Sequence, residues 1–203
     1  MVLLLCLPLQ LMSQQKSTGP PSNYSLLYNL VRKDAEGLTT RTTLIPGDSI
    51  EYSMDPASRT GIAVQEALVE GLKNVGLIVF QQVDSLRRTD ARLIARLVNV
   101  SAHYSDVFRR GFLGEKLTRR TLSAGLSLQL TRNSTGEILM SEQRSLSASD
   151  TIGIDLIQEV EREDIPGLRG APPEDGFFDR VAEPFVIIGA TGVAIFLFFH
   201  VRS

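Results

Sequence analysis

The sequence of 203 residues predicts an α+β fold: one helix, with room for a short second one, packs on a mostly antiparallel sheet of four or five strands, and a single transmembrane helix follows at the C-terminus. Three patterns predict this arrangement. Apolar residues recur at helical spacing over 55–76, apolar and polar residues alternate over 91–108 and 118–130, and residues 184–201 contain no Asp, Glu, Lys or Arg.

The predicted helix begins at Asp55, whose side chain suits an N-cap, and Pro56 suits the first turn. Asn74 and Gly76 are residues that end helices. One apolar stripe is expected to face the core, and it consists of Val64, Leu68, Leu72 and Val75.

The first strands are expected on either side of the helix. One or two should lie near Leu44 and Ile50, around a Pro-Gly break, and the apolar stretch 77–81 predicts a short buried strand. The longer segment 91–108 predicts a half-buried strand, because its apolar and polar residues alternate. The predicted core-facing residues of this strand are Ile94, Val98, Val100, Ala102 and Tyr104.

A hairpin completes the predicted sheet. Residues 118–130 alternate in the same way, and the stretch "TRNSTGE" then turns the chain back through Ile138 and Met140. The core-facing residues of the first arm are expected to be Leu122, Ala124, Leu126, Leu128 and Leu130.

Composition divides the chain into five parts. These are a signal peptide or N-terminal apolar segment (1–15), a polar tether (16–40), an extracytoplasmic α+β domain (41–152), an acidic spacer with Pro and Gly (153–183) and a transmembrane helix (184–201).

Charges beside the apolar tail predict its orientation. Arg202 follows the span, whereas Asp175, Asp179 and Glu183 precede it, and basic residues favour the cytoplasmic side. We therefore expect a single pass through a bacterial inner membrane, with the main domain in the periplasm and the C-terminus in the cytoplasm. Three small residues offer a face for packing against another helix: Gly189, Ala190 and Ala194.

Cysteine usage supports a bacterial envelope protein. Cys6 is the only cysteine, which excludes an intramolecular disulfide and a zinc site built from cysteines. A eukaryotic extracytoplasmic domain of this size commonly carries disulfides. Three readings of the N-terminal segment stay open: it is cleaved, lipidated at Cys6, or the remainder of a longer start.

The sequence contains no catalytic, cofactor-binding or metal-binding motif of the HExxH, GxSxG, P-loop or dinucleotide type. His103 is the remaining candidate base for a serine nucleophile, and it is expected to face solvent in the middle of a strand. The net charge of −2 provides no overall attraction to nucleic acid. We therefore expect a protein that is not an enzyme and has neither cofactor nor nucleic-acid partner.

A basic loop is the predicted contact site. Residues 86–120 carry nine basic and three acidic residues, a local charge of +6, whereas 155–183 carries −6. Cations beside apolar residues in a loop with two glycines suit contact with anionic lipid or with a partner protein. The predicted contact residues are Phe108, Arg109, Arg110, Phe112, Leu113 and Lys116.

A family resemblance covers roughly 59–147. The helix and strand "ALVEGLKNVGLIVF", followed by a strand pair with Thr135, Gly136 and Glu137 at its turn, resemble the small α/β domain of CsgG-like curli secretion lipoproteins and of the TolB amino-terminal region. The chain departs from both families, since it has an apolar C-terminal tail and is too short for the TolB propeller. The resemblance implies a binding module of envelope assembly or transport machines, without catalytic residues.

The expected function is that of a non-enzymatic, membrane-anchored periplasmic binding or scaffold subunit in an envelope assembly, secretion or transport complex. Its expected partners are other envelope proteins, with anionic lipid as an additional contact. The alternative is an accessory subunit of an integral membrane enzyme complex, held through its transmembrane helix. The sequence determines neither the oligomeric state nor the cargo.

Overall fold

A computed structural model describes residues 19–54, 58–81, 88–111, 114–161, 165–173 and 177–200, and in the last range it describes the side chains from 187 onward. The elements, in chain order, are α1 (Asn23–Glu36), α2 (Leu38–Arg41), β1 (Ser49–Ser53), α3 (Arg59–Asn74), β2 (Ile78–Phe80), β3 (Ala91–Arg109), β4 (Lys116–Arg132), β5 (Ile138–Gly153), a 3₁₀ turn (Ile154–Leu156), α4 (Ile157–Val160) and α5 (Phe177–His200). The predicted N-terminal segment 1–15 lies outside the described residues.

Five strands form one mixed sheet in the order β2-β1-β3-β4-β5. β1 runs parallel to both β2 and β3, whereas β3, β4 and β5 are antiparallel. The α+β class and the strand number are confirmed. The expected mostly antiparallel sheet needs correction, because α3 carries the chain from β1 to β2 as a crossover, and a crossover makes its two strands parallel.

The central helix α3 agrees with its predicted stripe. Val64, Leu68 and Leu72 are at most 1% exposed, and the chain leaves the helix through Gly76 at φ +84°. The predicted N-cap was wrong, because the Ser58 side chain accepts the hydrogen bond from the Gly61 amide. Asp55 and Pro56 lie outside the described residues.

The predicted tether 16–40 was wrong over most of its length. Residues from Asn23 onward form α1, capped by Ser22, and the helix buries one side chain on each successive turn. These side chains are Leu27, Val31 and Ala35, and Leu38 of α2 continues the stripe. The prolines before the helix suggested a linker, but residues 23–38 bury enough apolar surface to pack on the domain.

The short strand β2 is not the buried strand that was predicted. Ile78 is 50% exposed, and the buried side chain of this stretch is Leu77, directly before the strand. β2 lies at the edge of the sheet, where one side of a strand has no neighbouring strand. Of the one or two strands expected near Leu44 and Ile50, the described residues form one, β1 at Ile50, and buried Leu44 lies in the connection before it.

β3 has two register irregularities against β4, one between Ser105 and Phe108 and one at Val98, which forms a β-bulge between the positions that pair with Leu126 and Gly125. The bulge changes the phase of the strand, because side chains alternate with a period of two. The predicted burial of Ile94 and Val98 was therefore wrong, and Val98 is 61% exposed. The buried residues are Ala91, Leu93 and Ala95 before the bulge, and Ala102 and Tyr104 after it.

The β4–β5 hairpin confirms the prediction. Its turn closes with hydrogen bonds from the Gly136 amide to the Arg132 carbonyl and from the Arg132 amide to the Glu137 carbonyl, both 2.8 Å. Gly136 has φ +71°, a conformation that favours glycine. The side chains of the predicted core-facing row on β4 are at most 2% exposed, and they are Leu122, Ala124, Leu126, Leu128 and Leu130.

The predicted spacer 153–183 was wrong over its first half. After β5 the chain packs back onto the domain, where Ile165 is 4% exposed and Leu168 is fully buried. The Thr60 hydroxyl fixes this return by donating to the Pro166 carbonyl at 2.9 Å. Apolar residues scattered among the acidic ones are sufficient for this packing.

The C-terminal helix α5 begins at Phe177, before the predicted transmembrane segment 184–201, and contains that segment as far as His200. A membrane crossing by this helix stays a prediction. In the part of the chain that the structure describes, no helix combines the length and the apolar character needed to cross a bilayer.

Candidate functional site

The predicted contact loop lies at the tip of the β3–β4 hairpin. Arg109 pairs with Lys116, and the Arg110 amide donates to the Glu115 carbonyl at 3.0 Å. Phe108 is 42% exposed beside these cations. Two further predicted contact residues, Phe112 and Leu113, lie outside the described residues, and a contact with lipid or protein at this tip stays a prediction.

The small residues predicted to pack against another helix lie on α5. Gly189, Ala190 and Ala194 are all exposed. Large apolar side chains of the same helix are 52–71% exposed, and they are Ile187, Ile188, Val193, Ile195, Phe196, Leu197, Phe198 and Phe199. An apolar surface of this kind suits a lipid or protein environment, and the predicted helix packing is untested.

The sheet formed by β3, β4 and β5 has one polar face, which we call the open face. It lies opposite the buried leucine row, and each of its strands contributes alternate side chains. Ser123 of β4 pairs with Ser101 of β3 and with Ser147 of β5. The exposed or half-buried polar residues of the open face include Arg96, Asn99, Ser101, His103, Arg119, Thr121, Ser123, Ser127, Gln129, Ser141, Gln143, Ser145, Ser147, Ser149 and Thr151.

The open face is short of acidic groups. Arg96 and Arg119 are exposed on it, and Arg119 Nε lies 3.8 Å from Asp106 Oδ2 beside the face. At the start of β3, Arg92 donates to Glu51 of β1 at 2.9 Å. The β5 part of the open face consists of uncharged residues only.

The sequence patterns did not point to β5 as a long edge strand. It pairs with β4 from Ile138 to Gly153, with one irregularity at Leu139, and forms the last strand of the sheet. Among the described residues, no backbone hydrogen bond joins the outer side of β5 to another segment. The edge at β2 is only three residues long. The alternating serines of 141–149 indicated a polar face, but the strand order was needed to show an edge.

A buried ion pair holds β4 against β5. Arg120 is 0% exposed, and its guanidinium forms two hydrogen bonds with the Asp150 carboxylate, at 2.8 Å and 2.5 Å. The remaining terminal nitrogen, Nη1, donates to Asn23 Oδ1 and to the Pro21 carbonyl. A bidentate pair that is also bonded to its surroundings satisfies the buried guanidinium.

Asn23 extends this network to β3 and to the segment after α4. Its amide nitrogen donates to the Tyr104 hydroxyl at 3.0 Å and to the Leu168 carbonyl at 2.6 Å. Burial raises the pKa of Tyr104 to about 12, so the phenol is neutral at physiological pH. The start of α1, three strands and the returning chain are thereby fixed together.

A second cluster attaches the middle of β5 to α1. Arg144 donates to Asp34 Oδ1 at 2.8 Å, and Arg41 also binds this carboxylate. The hydrogen bond to Asp34 and the charge of that carboxylate raise the pKa of Arg144. Together with the Arg120–Asp150 pair, this cluster fixes the covered side of β5 while its outer edge is left open.

A crevice of about 340 Å³ lies where β1 and β2 end, and Gln65 and Gln81 contribute to its lining. Tyr52 also lines it, and its buried hydroxyl has no hydrogen-bond partner among the described residues. Burial raises the pKa of Tyr52. Among the described residues, no group of three or more His, Cys, Asp and Glu side chains could hold a metal ion.

Comparisons with known proteins leave the family open. No family model and no curated protein match the chain. One similar solved structure is the LpoB C-terminal domain from Salmonella enterica, with a TM-score of 0.35 and 14% identity over 59% of this chain and 96% of that chain. A putative neuraminyllactose-binding hemagglutinin homologue from Helicobacter pylori has a TM-score of 0.32 and 13% identity over 54% of this chain and 69% of that chain. A minor lipoprotein from Acinetobacter baumannii has a TM-score of 0.27 and 15% identity over 56% of this chain and 71% of that chain. TM-scores below 0.5 do not assign this chain to the family of any of these structures. The resemblance to CsgG-like and TolB proteins stays a prediction.

Proposed function

We propose that this chain is a non-enzymatic binding subunit of a bacterial envelope complex, and that it binds protein by adding a partner strand to β5. The observation that carries the proposal is the 16-residue edge strand with no neighbour on its outer side among the described residues. Unpaired amide and carbonyl groups along an edge form a template for another strand.

The composition of β5 favours docking over protection. Edge strands that must avoid pairing are usually short, or carry charges, proline or bulges along their length. The three charged residues of β5 are Glu142, Arg144 and Asp150, and each forms an ion pair within its own chain. β5 contains neither lysine nor proline, and its one register irregularity lies at the Ile138 end. The segment from Met140 to Gly153 therefore offers a long, regular edge to which a partner strand can pair.

The location in the envelope is part of the proposal. The apolar tail 184–201, the acidic residues before it and the single cysteine support a domain in the periplasm, attached to the inner membrane through α5. The exposed apolar side chains of α5 favour contact with lipid or with another membrane protein. The second candidate function, an accessory subunit held through this helix, rests on the same side chains.

Two matched variants test the β5 edge. The double variant Ser145→Lys and Ser149→Lys places charge along the edge. The double variant Ser123→Lys and Ser127→Lys places the same charge on the same face of the interior strand β4. With tagged full-length chain captured from detergent-solubilised membranes, we expect the β5 variant to lose its co-captured proteins and the β4 variant to retain them. Equal capture by both variants would contradict binding of a partner strand at the β5 edge.

Removal of 184–203 separates the two candidate functions. Under the proposed function, the shortened chain still captures its partner once solubilised, because β5 lies in the domain. Under the alternative, capture is lost, because the partner is held by α5. Carbonate extraction of the full chain tests the membrane attachment itself, and release of the intact chain into the soluble fraction would contradict it.

A further inference from the structure

We infer that the strand added to β5 is β5 of a second copy of this chain, antiparallel to the first across a twofold axis at Ser147. The inference rests on the proposed function of this edge and names its partner. A twofold interface uses the same surface on both copies, so the surface must be compatible with itself.

The open-face side of β5 meets this requirement. Pairing about Ser147 places Ser145 opposite Ser149 of the second copy and Gln143 opposite its Thr151. All of these side chains are exposed and uncharged, so no like charges meet on this face.

Charges on the covered side select the register. An axis at Ser147 places Arg144 of each copy opposite Asp150 of the other, so that two attractive pairs form. Moving the axis to Leu146 would place Glu142 opposite Asp150, and moving it to Arg144 would bring two arginines together.

One other axis is attractive, at Gln143, where Glu142 would face Arg144 of the second copy. That axis overlaps only residues 138–148 of β5, whereas the axis at Ser147 overlaps 141–153 and forms the longer backbone ladder. The structure therefore favours a twofold axis at Ser147 over one at Gln143.

The charged groups of the proposed register remain partly exposed in the single chain. The side chains of Asp150 and Arg144 are 32% and 36% exposed, so both remain accessible. Their orientations are set inside each chain, Asp150 by Arg120 and Arg144 by Asp34. Little side-chain entropy is then lost when the second copy binds.

Disulfide trapping tests the register in the full-length chain. In a Cys6→Ser background, Ser147→Cys places the two thiols opposite each other on the axis, whereas Gln143→Cys, also exposed on the open face, places them eight residues apart along the paired strands. After oxidation in membranes, we expect most of the Ser147→Cys chain to migrate as a dimer on non-reducing gels and the Gln143→Cys chain to remain monomeric. Dimers of Gln143→Cys, or none of Ser147→Cys, overturn the inference.

Two differently tagged copies separate this inference from the proposed function. If co-expressed copies capture each other, and Ser147→Lys abolishes this capture, both ideas are supported. If the copies do not capture each other but another envelope protein is captured in a β5-dependent way, the inference fails and the proposed function stands. If no capture depends on β5, the proposed function fails as well.

Discussion

The two faces of the β3–β4–β5 sheet are built from the same strands and differ in what they do. On the covered face, Leu122, Leu126 and Leu130 are fully buried, and Arg120 is buried among hydrogen-bond partners. On the open face the neighbouring residues Thr121 and Ser123 are only half-buried. Because side chains alternate along each strand, substitutions on the covered face should alter the stability of the fold, whereas those on the open face should alter it little.

The largest effect is expected at the buried ion pair. Arg120→Ala removes the partner of Asp150 and leaves polar groups of the network unpaired, so we expect a loss of about 3 kcal/mol in the free energy of unfolding. Arg119→Ala, one residue away on the open face and 61% exposed at its side chain, should change it by less than about 0.5 kcal/mol. Urea unfolding followed by circular dichroism measures both, and equal losses would contradict this difference between the two faces.

The helical layer over the covered face should be nearly as sensitive. A Cβ at Gly71 would lie 2.4 Å from the Arg32 carbonyl oxygen and 2.7 Å from the Ala35 Cβ, so α1 and α3 would have to separate. We expect Gly71→Ala to cost about 2 kcal/mol despite the better helix propensity of alanine. Lys73→Ala, at an exposed position of the same helix, is the control and should leave the melting temperature nearly unchanged.

Two buried tyrosines should respond with opposite sign. Tyr52→Phe removes a hydroxyl without a described partner and should raise stability by about 1 kcal/mol, whereas Tyr104→Phe removes the acceptor for Asn23 and should lower it by about 1 kcal/mol. Thermal melts of the two variants distinguish the cases. A loss of stability in Tyr52→Phe would show that its hydroxyl has a ligand or a partner outside the described residues.

The smallest effect concerns acid. The Ser49 hydroxyl and the Ser49 amide lower the pKa of Asp90, which joins the start of β1 to the start of β3. A lowered carboxyl pKa stabilises the fold above the unfolded pKa of about 3.9, and this contribution is lost as the pH falls through the folded value. Because Asp90 is exposed, the contribution should be below about 1 kcal/mol. Asp90→Asn should flatten the fall in stability between about pH 5 and pH 3, and an unchanged slope would contradict this.

Local patterns predicted the elements whose neighbours in sequence are also their neighbours in space. The leucine row of β4 and the hairpin turn at Gly136 follow from strand alternation and turn chemistry, and the stripe of α3 follows from helical spacing. The tip with Phe108 and Arg109 was also placed by its glycines, although its role as a contact site is untested.

Other features were not predicted from the sequence, because they depend on residues that are distant along the chain. The bulge at Val98 changes which residues of β3 are buried, and one inserted residue leaves no mark on a period-two pattern read from one strand. Arg120 reads as one more cation of a basic segment, yet its partner Asn23 lies 97 residues away. The candidate edge was missed for the same reason, because strand order is a property of the whole sheet.

The sequence by itself determined an α+β domain with a polar-faced hairpin and an apolar tail, because the alternation and spacing of apolar side chains are enough to specify such elements. Only the tertiary structure decided that β1 lies between β2 and β3, that α1 joins the core and that β5 is an edge. These outcomes depend on which surfaces bury each other, and that is settled by packing and by hydrogen bonds between segments far apart in the chain.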